Sequence, residues 1–173
     1  MRTSYAAGLF FGIALVVVVS TVMKLINKDN GTTKYDEMQE KARGIAYKYA
    51  FWTVALIEGI LGVLGLTEAY STFPLSGFML HFTVLIIGIM VQVCYSIWHH
   101  AYIGLNTNFK KFAICCSLFS IFNLLSVVRS ITQGKMYVDG QLDYPFVNLL
   151  VALMFIIIAI ELAIRNYLDK KED

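Results

Sequence analysis

Long apolar runs alternate with short polar connections along the whole chain. Five apolar runs stand out, at about 5–23, 49–66, 77–98, 112–131 and 146–164. A helix of about 20 apolar residues is long enough to cross the hydrocarbon core of a bilayer. Lipid offers exposed backbone groups no hydrogen-bond partner, so each spanning segment must be helical. The pattern predicts an all-α integral membrane bundle of five transmembrane helices, forming a single domain over residues 1–173.

A charged segment precedes the second apolar run and continues its helical pattern. Asp36 and Gln39 have the spacing of a capping box, and no proline follows them before Leu66. We therefore expect one helix from about Glu37 to Leu66. That helix is too long for the bilayer core alone, so its first part, about 37–48, is expected to form a juxtamembrane helix.

Two other polar segments carry local signals. The connection after the fourth run contains Asp139-Gly140 between short apolar stretches, which indicates a small hairpin. The polar tail RNYLDKKED, which begins at Arg165, is expected to fray.

The segment YDEMQEKARGIAYKYAFWT, Tyr35 to Thr53, resembles a segment of small multi-pass membrane proteins of Gram-positive bacteria. There an acidic-Gln start is followed by a basic-Gly pair and an Ala-Tyr-Lys-Tyr-Ala-Phe entry into a span. Met38 and Ile45 depart from that pattern, which has charged residues at their positions. The resemblance implies a bacterial plasma membrane, and it brings no activity and no catalytic residues.

Composition agrees with a membrane protein. Apolar residues make up 58% of the chain and charged residues 15%, whereas soluble domains carry about 25% charged residues. The placement of the positive charges predicts the orientation, because short cytoplasmic loops are rich in Lys and Arg. Eleven of the 14 fall in 24–48, 110–111 and the tail, and three fall on the other side. The N-terminus is therefore expected outside and the C-terminus in the cytoplasm.

Polar residues within the spans are the candidate functional groups, because ionisable side chains are costly in lipid. Counting about 1.5 Å per residue from the cytoplasmic end of each span gives two layers. The candidate intramembrane layer contains Glu58, Gln92, Ser120 and Asn123. The candidate outer layer contains Glu68, His81, Arg129 and Asn148, with Glu68 and Arg129 as a pair. Within the first layer, Ser120 or Asn123 is the expected partner of Glu58, and Gln92 comes next.

Three further groups of residues are explained by ordinary helix structure without a functional role. Gly59, Gly62 and Gly65 are three residues apart, which is typical of a surface where helices approach closely. Glu161 and Arg165 have i,i+4 spacing and are expected to pair. A metal site from His99 or His100 with Cys115 is disfavoured because the spacing matches no zinc pattern. No catalytic residue, metal site or cofactor is expected.

Two function classes remain open, and an intramembrane enzyme is disfavoured since no nucleophile–base set is recognisable. The first class is a non-enzymatic subunit or accessory component of a membrane complex in the plasma membrane. The second is a small transporter or channel-like protein built around Glu58. The expected partners are the lipid bilayer and either another membrane protein or a second copy of the chain. Binding to nucleic acid is not expected.

Overall fold

The computed structural model describes residues 33–105 and 109–172, without the side chains of 109–111 and 172. The chain forms two compact units, Met1–Lys34 and Tyr35–Asp173. Nearly all of the described residues belong to the second unit. The first apolar run, 5–23, lies outside the described residues, so the five-span count and the single domain over 1–173 stay predictions.

Helices account for most of the second unit. Each contains a stretch long and apolar enough to cross a membrane, and four such helices occur within the described ranges. The all-α architecture is therefore confirmed, and its four apolar helices are consistent with a membrane protein. The helices are α1 (Glu37–Leu64), α2 (Gly77–Trp98), α3 (Phe109–Thr132) and α4 (Val147–Glu172).

The start of α1 follows from its first residues. The Asp36 carboxylate accepts a hydrogen bond from the Gln39 backbone at 2.7 Å, and the Asp36 backbone donates to Gln39 Oε1 at 3.2 Å. Both bonds of a capping box are present, so two amide groups that lack helical partners are satisfied. The continuous helix is confirmed and ends at Leu64, two residues before the predicted end.

The tail does not follow the prediction of fraying, because α4 continues to Glu172. Arg165 and Asp169 form an i,i+4 ion pair with Nε and Oδ1 3.1 Å apart. Such pairs, together with good helix formers such as Lys and Leu, support a helix beyond its apolar part. Both side chains also contact His100, so this last part of α4 is held by packing against another element.

The described helices pack in the order α1–α2–α4–α3. Tyr49 contacts Tyr95 edge to face, with ring centroids 5.3 Å apart, and Asn148 Nδ2 donates to Ser126 Oγ at 3.0 Å. Each contact joins the first half of one helix to the second half of its neighbour. The pairs α1–α2 and α3–α4 are therefore antiparallel hairpins.

The two hairpins meet through α2 and α4, which run in the same direction. Before these helices begin, Ser76 Oγ lies 2.9 Å from Asp143 Oδ1. After α2 ends, His100 contacts Arg165 of α4. Between these points lies a buried apolar cluster of Val93, Ile97, Cys116, Ile158 and Leu162.

The two helices α1 and α2 approach closely at Gly88. A Cβ atom there would overlap Cγ2 of Val54, and the next atoms, Ala50 O and Val54 Cβ, lie 3.8 and 3.9 Å away. The α1 glycines behave differently, because a Cβ at Gly59 or Gly62 would meet nothing within 4 Å. The glycine that brings two described helices together is therefore on α2 and not in the stripe on α1.

The connection between α3 and α4 contains the expected hairpin, with strands β1 (Tyr137–Val138) and β2 (Gln141–Leu142). Asp139 and Gly140 have φ values of 52° and 80°. Two successive positive φ angles match a type I′ turn, which strongly favours Asp-Gly. The hairpin prediction is confirmed.

This hairpin also contacts the connection between α1 and α2, which contains a 3-10 helix, Glu68–Thr72. The Leu142 amide donates to the Pro74 carbonyl at 2.8 Å, and the Ser76 amide donates to the Leu142 carbonyl at 2.9 Å. We call this end of the bundle, formed by residues 65–76 and 133–146, the hairpin end. The opposite end, where α1 begins and α2 and α4 finish, is the His100 end.

Candidate functional site

Glu58 has a hydrogen-bond partner on the neighbouring helix. Its Oε2 lies 2.8 Å from Nδ1 of His81, and the two side chains keep 34% and 54% of their accessible surface. The expected partners were Ser120, Asn123 and Gln92, and that expectation is wrong. The sequence pattern places His81 in the outer layer and Glu58 in the intramembrane layer, yet the two side chains are in contact.

The reason is a difference in height between α1 and α2. The sequence pattern places Tyr49 at the cytoplasmic edge of its span, level with Trp98 at the end of α2. Tyr49, however, packs on Tyr95, three residues inside the end of α2 at Trp98. At about 1.5 Å per residue this raises Glu58 by roughly 4.5 Å toward His81. The lengths of the two side chains allow them to bridge the remaining difference.

The other members of the intramembrane layer form local hydrogen bonds. Gln92 Nε2 donates to Ser96 Oγ, one turn along α2, at 3.3 Å. Asn123 Nδ2 donates to the Phe119 carbonyl within α3 at 2.7 Å. Ser120 is buried, and its hydroxyl donates to the Ala152 carbonyl of α4 at 3.4 Å. The structure therefore gives these residues separate partners and does not bring them together around Glu58.

The outer layer is also divided. Asn148 Nδ2 donates to Ser126 Oγ at 3.0 Å, which links the start of α4 to α3. Glu68 and Arg129 are both exposed, and no ion pair joins them in the described ranges. The cause is that α1 ends at Leu64 and Glu68 lies in the following 3-10 helix, so it does not extend from α1 as the sequence pattern implied.

A cavity with a mixed polar and apolar lining lies at the His100 end. It has a volume of about 280 Å³ and is formed by the start of α1, the end of α2 with the residues after it, and the last turns of α4. Its lining combines apolar side chains with amide, imidazole, phenol, guanidinium and carboxylate groups. The residues lining this His100 cavity are Gln39, Ile97, His100, Tyr102, Ile103, Leu162, Arg165, Asn166 and Asp169.

His100 holds this region together through its backbone. Its carbonyl accepts a hydrogen bond from Gln39 Nε2 at 2.6 Å, and its φ is 55°. The bonds from Ala101 N to Ser96 O and from His100 N to Ile97 O are those of a Schellman motif at the end of α2. The left-handed position of that motif is usually glycine. A histidine there carries backbone strain, for which its ring contacts compensate.

Those ring contacts involve α4. His100 Nε2 contacts Arg165 Nη2, and Nδ1 lies 3.7 Å from Asp169 Oδ2. The expected Glu161–Arg165 pair is not formed, because Arg165 turns toward Asp169 and His100 instead. Glu161 lies beside Cys94, and its buried Oε2 has no hydrogen-bond partner among the described residues.

Several donors at the cavity are not used. The buried Arg165 Nε has no hydrogen bond, since its geometry toward Asp169 is that of an ion pair only. Tyr102 and Asn166 form no side-chain hydrogen bond within the described residues. Burial, with smaller contributions from Cys116 and Tyr35, raises the pKa of Tyr102 to about 12. The Tyr102 hydroxyl therefore stays protonated at neutral pH and can donate.

The described residues do not assemble a metal centre, because no three His, Cys, Asp or Glu side chains are gathered in those ranges. His99 Nδ1 instead lies 2.9 Å from the Tyr95 carbonyl, and Cys94, Cys115 and Cys116 are free thiols. Sequence reasoning missed the His100 cavity because it treated the tail as frayed. The i,i+4 spacing of Arg165 and Asp169 was the signal that could have extended α4.

Comparisons of the chain with family models, curated proteins and solved structures find no match.

Proposed function

We propose that the protein is a non-enzymatic, multi-pass subunit or accessory component of a membrane complex. In this proposal it lies in a bacterial plasma membrane with five spans, the N-terminus outside and the C-terminus in the cytoplasm. Its role is to present a lipid-embedded surface of α1 to a helix of another membrane protein. The observation that carries the proposal is the open surface of α1, since among residues 33–105 and 109–172 the neighbouring helix that packs along α1 is α2, on one side.

The two sides of α1 differ in a way that fits this role. Val54, Ile57 and Leu61 pack toward α2. On the other side, Trp52, Leu56 and Val63 each keep more than half of their surface exposed. Gly59 and Gly62 lie on that side with open space beside them. Small residues between large apolar ones let a second helix come close and gain packing contacts within lipid.

Local hydrogen bonding of the polar residues in the spans also supports a packing role. A permeation path needs polar groups that are directed into a common space. Gln92, Ser120 and Asn123 instead bond within one turn or to a neighbouring backbone. Bonds of this kind satisfy polar groups in lipid and fix helices against each other.

The orientation and location rest on the sequence. Eleven of 14 Lys and Arg residues fall on the side proposed as cytoplasmic, which includes the His100 end. The segment from Tyr35 to Thr53 resembles a part of membrane proteins from Gram-positive bacteria. Both features support a plasma membrane location with the His100 end facing the cytoplasm.

Affinity purification from native membranes, with variants of the α1 glycines, tests the proposed function. Gly59→Leu and Gly62→Leu add bulk where the described structure has open space, so the fold should remain intact. We expect each to reduce the recovery of a co-purifying membrane protein by at least about tenfold, the effect of losing about 1.4 kcal/mol of binding.

Gly44→Leu is the matched control, because Gly44 is also open and lies in α1 before the span. It should leave the recovery unchanged. If an untagged copy of the chain is recovered with the tagged one and no other protein is, the surface joins two copies. If every variant recovers the co-purifying membrane protein as well as the wild type does, α1 is not the docking surface and the proposal fails.

The alternative function is a small transporter or channel-like protein, and Glu58 is the observation that favours it. A carboxylate bonded to a titratable His81 within the apolar length of two helices could carry a proton. Its other proposed contributors, Gln92, Ser120 and Asn123, do not contact this pair. The alternative therefore depends on Glu58 and His81 alone, and their double substitution distinguishes it from the packing role.

A further inference from the structure

The His100 cavity has more hydrogen-bond donors than acceptors. Arg165 Nε lies 3.1 Å from Asp169 Oδ1 in an ion pair, but its buried N–H forms no hydrogen bond, and Tyr102 and Asn166 offer an O–H and an amide that the described residues leave unused. Among the charged residues lining the cavity, Asp169 is the one carboxylate. Leaving a buried donor unpaired costs free energy, so the site as described favours an additional acceptor.

The identity of that acceptor follows from the charge and number of the donors. Arg165 is always protonated and prefers carboxylate or phosphate oxygens, with which its planar fork can form two bonds. The donors come from three residues on two segments of the chain, and a phosphate offers more acceptor oxygens than a carboxylate. The chemistry therefore matches a phosphate group.

The apolar part of the lining indicates what the phosphate is attached to. Ile97, Ile103 and Leu162 line the cavity together with the polar groups. The volume of about 280 Å³ is close to the lower limit of pockets that hold small molecules, about 300 Å³. It fits a headgroup with the adjoining part of an apolar chain better than a whole large ligand.

We propose that the His100 cavity binds a phosphate group, carried by a membrane lipid whose apolar part contacts Ile97, Ile103 and Leu162. Arg165, Tyr102 and Asn166 donate to the phosphate, and His100 positions Arg165 through its ring. Cationic side chains in pockets between spanning helices recurrently bind lipid headgroups, and Arg165 is the arginine that lines this cavity. The proposal rests on the cavity alone and is independent of the docking of α1.

Native mass spectrometry of the full-length protein in a neutral detergent tests the proposal. The protein is titrated with phosphatidylglycerol, with diacylglycerol of the same chains, and with glycerol phosphate. Retention of phosphatidylglycerol but not of diacylglycerol is expected. If glycerol phosphate binds as tightly as the lipid, the site takes its phosphate from water. If none of the three probes binds, the proposal is overturned.

Variants of the cavity sharpen the test. Arg165→Gln should weaken lipid binding about tenfold or more, since it removes charge-assisted hydrogen bonds. Lys170→Gln is the matched control, because Lys170 lies in the same part of α4 but is exposed and outside the cavity. Its effect should stay within about twofold, as expected for a screened surface charge. Equal losses in both variants would mean diffuse surface attraction and would reject the site.

Two further substitutions keep the outcome clear if Arg165→Gln folds poorly. Tyr102→Phe removes one O–H with little change in shape and should weaken binding several-fold. Asp169→Asn removes the carboxylate that competes for Arg165 and should strengthen it. Unchanged binding in both would contradict the proposal.

Discussion

Replacing His81 with Leu is expected to destabilise the protein by about 2 kcal/mol, because it leaves Glu58 without its partner. An ionisable side chain at the centre of a span costs roughly 2.5–3.5 kcal/mol. Glu58 lies six residues before the end of α1, or about 9 Å along the helix, so a somewhat smaller cost applies. Reversible unfolding in detergent, followed by the fluorescence of Trp52 and Trp98, measures the change.

The double variant Glu58→Leu, His81→Leu is the decisive companion. Replacing a hydrogen-bonded ionisable pair by apolar residues is often neutral or stabilising. The double variant should therefore be more stable than His81→Leu, by about 2 kcal/mol. With Glu58→Leu measured as the second single variant, the cycle yields a coupling energy for the pair. If His81→Leu has the stability of the wild type, the contact contributes nothing. If the double variant keeps full function in cells, the transport alternative is excluded.

Gly88→Ala is expected to destabilise the packing of α1 on α2 by roughly 1–3 kcal/mol, the usual cost of overpacking. The added methyl would overlap Cγ2 of Val54. A valine in a helix has one strongly preferred rotamer, so it cannot turn away cheaply. The loss should appear despite the better helix propensity of alanine, which alone would favour the variant by up to about 1 kcal/mol.

Two comparisons isolate the cause. Gly62→Ala adds the same atom to open space and should be neutral or slightly stabilising. Gly88→Ala combined with Val54→Ala removes the overlapping atoms, and the nearest remaining contacts, at 3.8 and 3.9 Å, are ordinary. The loss of stability in the double variant should therefore be smaller than the sum of the losses in the two single variants. Additive losses would show that the close approach at Gly88 does not control the packing.

Local features were the ones that the sequence could predict. The bounds of α2 coincide with the predicted span of 77–98. The capping box at Asp36 and the turn at Asp139-Gly140 depend on two to four neighbouring residues, and the structure contains both. These signals need no knowledge of the tertiary structure, because their hydrogen bonds close within the motif.

Contacts between helices were not predictable by the same means. The partner of Glu58 depends on the relative height of α1 and α2, and an offset of three residues is enough to change it. The His100 cavity needs α4 to continue past Ile164, α2 to end in a left-handed histidine, and Gln39 to reach the His100 carbonyl. Each of these conditions involves residues far apart in the chain, so no single local pattern reveals the site.

The order α1–α2–α4–α3 has a consequence for biogenesis. The α1–α2 hairpin can close as soon as both helices have left the ribosome and entered the bilayer. The surface of α2 that later packs on α4 must stay exposed to lipid until α4 is made, about 50 residues further along the chain. At about 5–20 residues per second, synthesis takes several seconds to reach that point. During this interval the α1–α2 hairpin is formed, but the surface of α2 that packs on α4 is still exposed. An insertion factor that shields such surfaces could bind to α2 at this stage.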